Sequence, residues 1–410
     1  MAVIKPFTCI RPAEAYVADV AALPYDVYNR KEAQEIVKKN PLSFLSIDRG
    51  ETNFDYDVDI YSDEVYEKCA SLLNERISNG IFVTEDCECL YLYELIMNGR
   101  SQTGIVGCAS ADDYINAVIK KHENTRVDKE TDRTKHVDRC SAHTGPIFLA
   151  YRTNEALSNI IRQQKEAAPL YDITSDDGIQ HIVYRIADAQ VIAEIQALFA
   201  DIPQVYIADG HHRAASAINV AKQKREANPD YTGEEEFNHF LSVFFAEEEL
   251  RIMDYNRVVK DLNGLTSEEF LSKLEKDFDI TPIDAAAHPT EKGTFTMFLD
   301  EQWYLCKINP ALIPDDPVAS LDVSLLQEYL LTPILGIGDP RADKRIDFVG
   351  GIRGLAELEK RCHTDSKVAF AMYPTSIQEL FDVADADLLM PPKSTWFEPK
   401  LRSGLFVHKI

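Results

Sequence analysis

The chain has 410 residues, more than one hydrophobic core usually organises, and its 45% hydrophobic content supplies apolar surface for two lobes. A net charge of −25 repels polyphosphate backbones and so argues against nucleic-acid binding, although a local basic pocket can still hold one small anion. No basic leader with an apolar core opens the sequence and no apolar run approaches the roughly 20 residues of a membrane span, so the expectation is a cytoplasmic protein with no membrane association.

Residues 3–7 read as a short opening strand. Pro24 forces Leu23 into an extended form and a turn, after which Asn29 caps a helix whose stripe is Ala33, Ile36 and Val37. Residues 43–47 read as a strand, 48–59 as an acidic loop, and 62–79 as a helix ended by Gly80. Residues 87–97 and 101–110 alternate as strands about Asn98-Gly99, a strong hairpin signal. Cys87 and Cys89 share this stretch, but nothing nearby completes a four-ligand zinc site, so they read as structural thiols. A short helix begins at Ala111, residues 122–139 are dense in charge, and 145–151 form a buried strand. Beyond Tyr255 the expectations are a hairpin over 294–308, a helix over 323–331, a strand over 345–349, a late helix over 376–383 and a polar, Pro-rich tail over 390–404. Helices alternating with strands and hairpins predict an α/β (α+β) chain with mixed sheets. The expected division is a phosphate- or nucleotide-binding lobe over 1–254 and a C-terminal α/β lobe over 255–410 packing on it.

The chemistry concentrates where Val205-Tyr206-Ile207-Ala208 runs into Asp209-Gly210 and then an Ala-rich, helix-prone segment. A strand that turns at Gly into a helix exposes the free N–H groups of the first helical turn, which with the helix dipole form an anion site. His211, His212 and Arg213 add up to three donors there, and Asp209 can cap the helix, orient a histidine or take a proton. The plainer reading is a polar helix cap with two surface histidines.

A second cluster begins at His122-Glu123. Phosphoryl transfer needs a base, a metal-holding carboxylate and cations, and this stretch offers Glu123 or His122, Asp128 or Asp132, and Lys129 or Arg133. Its alternative is a solvated helix face. Asp26, beyond Leu23-Pro24-Tyr25, is a third candidate, or else a residue of a helix-entry turn. In the tail, Lys393 and Ser394 place a cation and a hydroxyl beside Trp396 and Phe397, to close over a substrate or to anchor the core. Gly350-Gly351-Ile352-Arg353-Gly354 resembles a phosphate turn without the P-loop lysine.

Asp209-Gly210-His211-His212-Arg213, with its helix, resembles the phosphate-binding box of the ParB/sulfiredoxin superfamily, which includes ParB domains, sulfiredoxins and free-serine kinases. Ala22-Leu23-Pro24-Tyr25-Asp26-Val27, His122-Glu123-Asn124-Thr125, Gly145-Pro146-Ile147-Phe148 and Met390-Pro391-Pro392-Lys393-Ser394-Thr395 extend a resemblance over nearly the full chain to a prokaryotic family often labelled ParB-like. His211 stands where sulfiredoxins carry a reactive Cys, and no helix-turn-helix is visible, so the resemblance implies the small-molecule kinase branch. That branch implies an ATP- or ADP-dependent kinase of free L-serine with Mg2+, running in either direction or hydrolysing phosphoserine; a homodimer is compatible with it. In that scheme Gly210, His211, His212, Arg213 and Arg133 hold donor phosphates and Glu123 takes the hydroxyl proton. His122, Asp26 or Asp209 orient substrate or metal, Asp128 offers a metal ligand, and Lys393 and Ser394 touch substrate. The alternative from another class is a ParB-like nucleotide-binding regulatory module without turnover, and the blandest is a scaffold with structural histidines.

Overall fold

In the computed structural model, which describes residues 1–410, the opening strand β1 (Ile4–Lys5) docks on a hairpin of β2 (Leu90–Met97) and β3 (Arg100–Ser110). Asn98 and Gly99 take φ of 52° and 78°, the doubly left-handed turn whose twist matches that of the strands it joins. The sheet grows through β4 (Ile119–Lys120), β5 (Ile147–Tyr151), β6 (Tyr171–Thr174), β7 (Gln180–Ile186), β8 (Val205–Asp209) and β9 (His239–Ala246) in the order β4-β8-β5-β9-β3-β2-β7-β6. Only β4 with β8 and β5 with β9 run parallel, so this is a mixed sheet, as the interleaved hairpins and helices predict. β2, β5, β8 and β9 are buried almost from end to end, which explains their near-continuous apolar runs.

The helices follow their stripes. α1 (Arg30–Lys39) starts at a capping box in which Asn29 accepts from the Glu32 N–H and the Glu32 carboxylate accepts from the Asn29 N–H, and it buries Ala33 and Val37. Residues 43–47 correct the strand expectation: Leu45–Asp48 is a helical turn, α2, with Phe44, Leu45 and Ile47 fully buried. A short run buried on all sides has no period to distinguish strand from helix. Here Arg76 of α3 (Asp63–Ser78) decides it, because its guanidinium collects the carbonyls of Pro41 and Leu42 and the Ser46 hydroxyl. α4 (Val127–Cys140) is the charge-dense stretch, followed by α5 (Glu155–Gln164), α6 (Ala189–Ala200) and α7 (His211–Ala227). The last three bury Leu157, Ile195, Phe199, Ala214 and Ile218 in one core with Leu149, Ile207 and Phe244 of the sheet.

The chain divides into two units, Met1–Leu250 with Pro399–Ile410, and Arg251–Glu398. The expected second lobe over 255–410 differs from this at its tail. Val407 bridges to Ile10, Ser403 to Ala22, and His408–Lys409 pairs with Ala142–His143, while Phe406 packs against Tyr91 and Tyr93. Buried apolar residues and backbone pairs together bind the tail into the first unit.

The second unit holds an antiparallel sheet of β10 (Tyr255–Val259), β11 (Phe278–Ile283), β12 (Thr294–Leu299), β13 (Gln302–Ile308), β14 (Ile346–Gly350) and β15 (Val368–Met372), ordered β11-β13-β12-β15-β10-β14. The helix expected over 323–331 begins as α8 (Asp322–Leu326) and continues as one π-helical turn, Gln327–Leu331. The glycines at the end of β14 correct the phosphate-turn expectation, for they permit close packing. A Cβ on Gly351 would lie 2.2 Å from Asp254 Oδ1, and one on Gly350 would lie 2.7 Å from the Trp396 ring. A carboxylate pressed on the turn repels phosphate. No helix of the chain is long and apolar enough to cross a membrane.

Phe406→Ala is expected to lower the stability of the first unit by about 3–5 kcal/mol, the usual scale for emptying a buried aromatic site. Denaturant unfolding read by near-ultraviolet circular dichroism checks it, and a loss below 1 kcal/mol would show the tail to be loosely attached.

Candidate active site at the β8–α7 turn

Three segments meet here because of strand direction. β4 and β8 are parallel, with Ile119 opposite Val205, so His122-Glu123 and Gly210-His211 leave the sheet at the same edge. β5 runs antiparallel to β8, which brings its entry, Gly145-Pro146, to that edge as well. The β8–β5 register shifts between Ile207 and Asp209, an irregularity of the kind that re-aims side chains at a sheet end. Gly210 then takes φ 96°, ψ 31°, and α7 starts with no side-chain cap. Its first intrahelical bond runs from the Ala214 N–H to the Gly210 carbonyl at 2.9 Å, leaving the amides of His211, His212 and Arg213 ahead of the ladder.

Two imidazoles lie at this edge out of water. The rings of His122 and His211 meet edge-to-face at 4.5 Å, and both are buried. Burial lowers His122 to a pKa of about 4, only partly offset by the charge of Asp209 and a hydrogen bond to the Ile207 backbone. Burial, then the neighbouring His122 and His212, push His211 well below its ordinary value. The Glu123 carboxylate lies 3.9 Å from His211 Nδ1 but is 43% exposed, so water screens it and desolvation wins. His122 Nδ1 and His211 Nε2 have no hydrogen-bond partner. Two buried, unmatched nitrogens at one point are costly unless something else meets them.

Charged groups surround the pair. Arg213 donates to the Pro146 carbonyl and to Asp209 Oδ2 at 3.1 Å, and its guanidinium lies against Gly210, where a Cβ would come within 3.0 Å of it. Asp209 also pairs with Lys400 at 3.5 Å. His212 Nε2 accepts the Arg126 N–H at 3.0 Å, which fixes this ring as neutral with its proton on Nδ1. α4 is bolted to α7 through Glu130, whose carboxylate accepts from Thr125 and Asn219, both at 2.7 Å, and whose carbonyl accepts from the Ser216 hydroxyl. Farther along α4, Arg133 pairs with Asp132 at 3.0 Å, donates to the Asp48 carbonyl and stacks 4.3 Å from the Tyr25 ring. Arg133 and Arg213 both line a small cavity that also includes Pro24, Tyr25 and Ser403. Beyond Tyr25 and Arg133 opens a cavity of about 310 Å³, with Asp26 and Lys129 on its wall.

His122, Glu123, Asp209, Gly210, His211, His212 and Arg213 are thus gathered at one edge, and the charge of Asp26 reaches His212. Arg133 stands beside them with its charge already shared with Asp132. Asp128 pairs with Arg126 at 2.8 Å on the exposed first turn of α4, and its charge, like that of Asp26, reaches His212. Lys393 and Ser394 belong to the second unit. There Ser394 donates its hydroxyl to the Pro391 carbonyl, and the Lys393 ammonium lies 5.7 Å from the Tyr255 ring. Sequence reasoning missed Lys400 and Ser403, which carry no motif, and Tyr25, which the Leu-Pro-Tyr-Asp block contained without revealing its stacking role. No group of three or more His, Cys, Asp or Glu side chains is arranged to hold a metal ion by itself. Free helical amides and a guanidinium fit phosphate oxygens instead.

A family profile described as DUF1015, protein of unknown function, matches residues 4–324. The chain belongs to the DUF1015 family. No curated protein matches it. Among solved structures, SbnI with a C-terminal truncation from Staphylococcus aureus is 10% identical, with 74% of this DUF1015 chain and 87% of that chain covered and a TM-score of 0.39. A free serine kinase in complex with AMP is 12% identical, with 74% and 91% covered and a TM-score of 0.36. A conserved hypothetical protein from Pyrococcus furiosus is 14% identical, with 74% and 95% covered and a TM-score of 0.35. These likenesses concern fold alone.

The DUF1015 site makes two predictions. His122 and His211 are held neutral when folded but titrate near pH 6.5 when unfolded, so the unfolded chain takes up more protons on acidification. Their contribution to stability is full above pH 6.5 and falls as pH drops toward 4, by about 3 kcal/mol for His122. His122→Asn should flatten the acid limb of a melting-temperature profile by that share, while an unchanged limb would show that the ring is not buried neutral. Gly210→Ala places a Cβ at positive φ against Arg213 and should cost about 1–2 kcal/mol. Denaturant unfolding reads that loss, and an unchanged midpoint would show that the turn tolerates a side chain.

Proposed function

We propose that this chain is a small-molecule phosphotransferase that holds the phosphates of ATP or ADP at the β8–α7 turn, with free L-serine as the first acceptor to test. The observation that carries this reading is the pair of buried imidazoles, each with an unmatched nitrogen, beside the uncapped first turn of α7. A polyanion arriving there meets the amides of residues 211–213, the Arg213 guanidinium and the two rings, and its charge raises the proton affinity of both rings. Affinity for nucleotide should therefore rise as pH falls from 8 toward 6, with protons taken up on binding. The reading agrees with the resemblance of this turn to the phosphate box of the ParB/sulfiredoxin superfamily.

In the transfer step the serine hydroxyl oxygen attacks the terminal phosphorus, the bond to the bridging oxygen breaks, and ADP or AMP leaves. Glu123, on the open side of His211, takes the hydroxyl proton. The cavity of about 310 Å³ supplies Asp26 for serine's ammonium and Lys129 for its carboxylate. Mg2+ bound with the nucleotide would neutralise phosphate charge, and Asp209, beside the turn, is the carboxylate that would hold it.

The exposure of Glu123 favours a second reading, nucleotide binding without turnover, because a carboxylate open to water is a poorly shielded base. One experiment separates the two. Purified protein incubated with ATP or ADP, Mg2+ and serine is expected to form phosphoserine, seen by phosphorus NMR. Glu123→Gln should keep nucleotide affinity within about threefold and lower turnover by about 100-fold or more. No phosphoserine with either donor removes the serine assignment. Saturable nucleotide binding with no turnover on any small alcohol or amino acid leaves the regulatory reading.

A further inference from the structure

The second unit carries an open-sided cavity of about 370 Å³ whose wall includes Arg257, Val323, Leu331, Phe348, Pro391 and Pro392. The wall also carries Gln327, Asp339 and Arg341, the last two exposed and paired with each other, so Arg257 is its one buried cation. Arg257 is 3% exposed, donates to the carbonyls of Tyr255 and Lys393, and lies 5.5 Å from the Phe348 ring. No carboxylate pairs with it. Asp339, the acidic residue on the wall, is turned to Arg341, accepting from its guanidinium at 3.2 Å. Burial lowers the Arg257 guanidinium to a pKa of about 10, with only Tyr255 opposing. A guanidinium has five N–H donors, so two backbone bonds leave enough for a bidentate grip on a carboxylate.

A buried charge without a counter-charge is a liability that a packed apolar side chain of similar volume would remove. The wall carries a second irregularity in the same place. Gln327–Leu331 is a π-helical turn, a feature found mostly where a helix is reshaped for a site. Gln327 holds the facing loop by donating to the Ile337 carbonyl at 2.7 Å and the Gly338 carbonyl at 3.2 Å.

We propose that this cavity binds a small organic monocarboxylate, its carboxylate on Arg257 and its hydrocarbon body against Val323, Leu331 and Phe348. One buried cation balances one negative charge, and the apolar walls repay burial of a carbon skeleton rather than of a second anionic group. At about 370 Å³ the cavity falls in the usual size range of small-molecule sites and has room for an aromatic or medium-chain acid. This site stands independently of the phosphotransferase reading.

The test is thermal unfolding and calorimetry of the full chain with benzoate, octanoate, benzamide and inorganic phosphate. At least one carboxylate is expected to raise the unfolding temperature saturably, whereas benzamide and phosphate leave it unchanged. Arg257→Met should reduce that carboxylate's affinity at least tenfold. Val323→Trp, which fills the cavity and keeps the guanidinium, should abolish the shift and decides the question if Arg257→Met does not fold. The proposal fails if neither carboxylate shifts the transition, if phosphate does so instead, or if the carboxylate's shift survives in Val323→Trp.

Discussion

The arrangement of the first unit depends on the parallel pairing of β4 with β8. Without it, His122 and His211, 89 positions apart, would leave the sheet at opposite edges. Parallel strands need a long crossover, and the chain supplies one that passes through α4, β5, the β6–β7 hairpin and two further helices before returning as β8. The same topology explains why α4 and α7 lie together and why Glu130 can bolt them. It also places Gly145-Pro146 where the Arg213 guanidinium needs an acceptor.

Gly210 converts that topology into chemistry. Its positive φ lets α7 start without a capping side chain, and its missing Cβ lets Arg213 fold back over the turn. The two buried rings are a standing cost to the folded chain, unpaired on one side and held uncharged. Buried polar groups without a match call for an explanation, and the Arg257 guanidinium, buried with no carboxylate partner, poses the same question in the second unit.

Much of this was legible in the sequence for local reasons. Asn98-Gly99 encodes its hairpin, Asn29 with Glu32 encodes its cap, and Asp209-Gly210 followed by Ala-rich sequence encodes strand, turn and helix. What was hidden depends on distant partners. Phe44-Leu45-Ser46-Ile47 becomes helical because Arg76 gathers the carbonyls preceding it, and no local pattern states that. Lys400 and Ser403 reach the site only through tail pairing with Ala22, Ile10 and Ala142–His143. Lys393 was the tail lysine the sequence singled out, yet it belongs to the second unit, and Lys400 is the one that pairs with Asp209. Asp128, read as a metal ligand, pairs with Arg126 on the exposed first turn of α4, a partner two residues away that the charge-dense stretch did not single out.

The return of the tail has a consequence for the order of events in the cell. The chain leaves the first unit at Leu250 and re-enters it at Pro399, and the cation beside Asp209 belongs to the returning segment. On a translating ribosome the sheet edge and both imidazoles emerge well before Lys400. A nascent chain therefore carries the pocket without its closing charge for the whole time the second unit is being made, and the finished electrostatics arrive only with the tail.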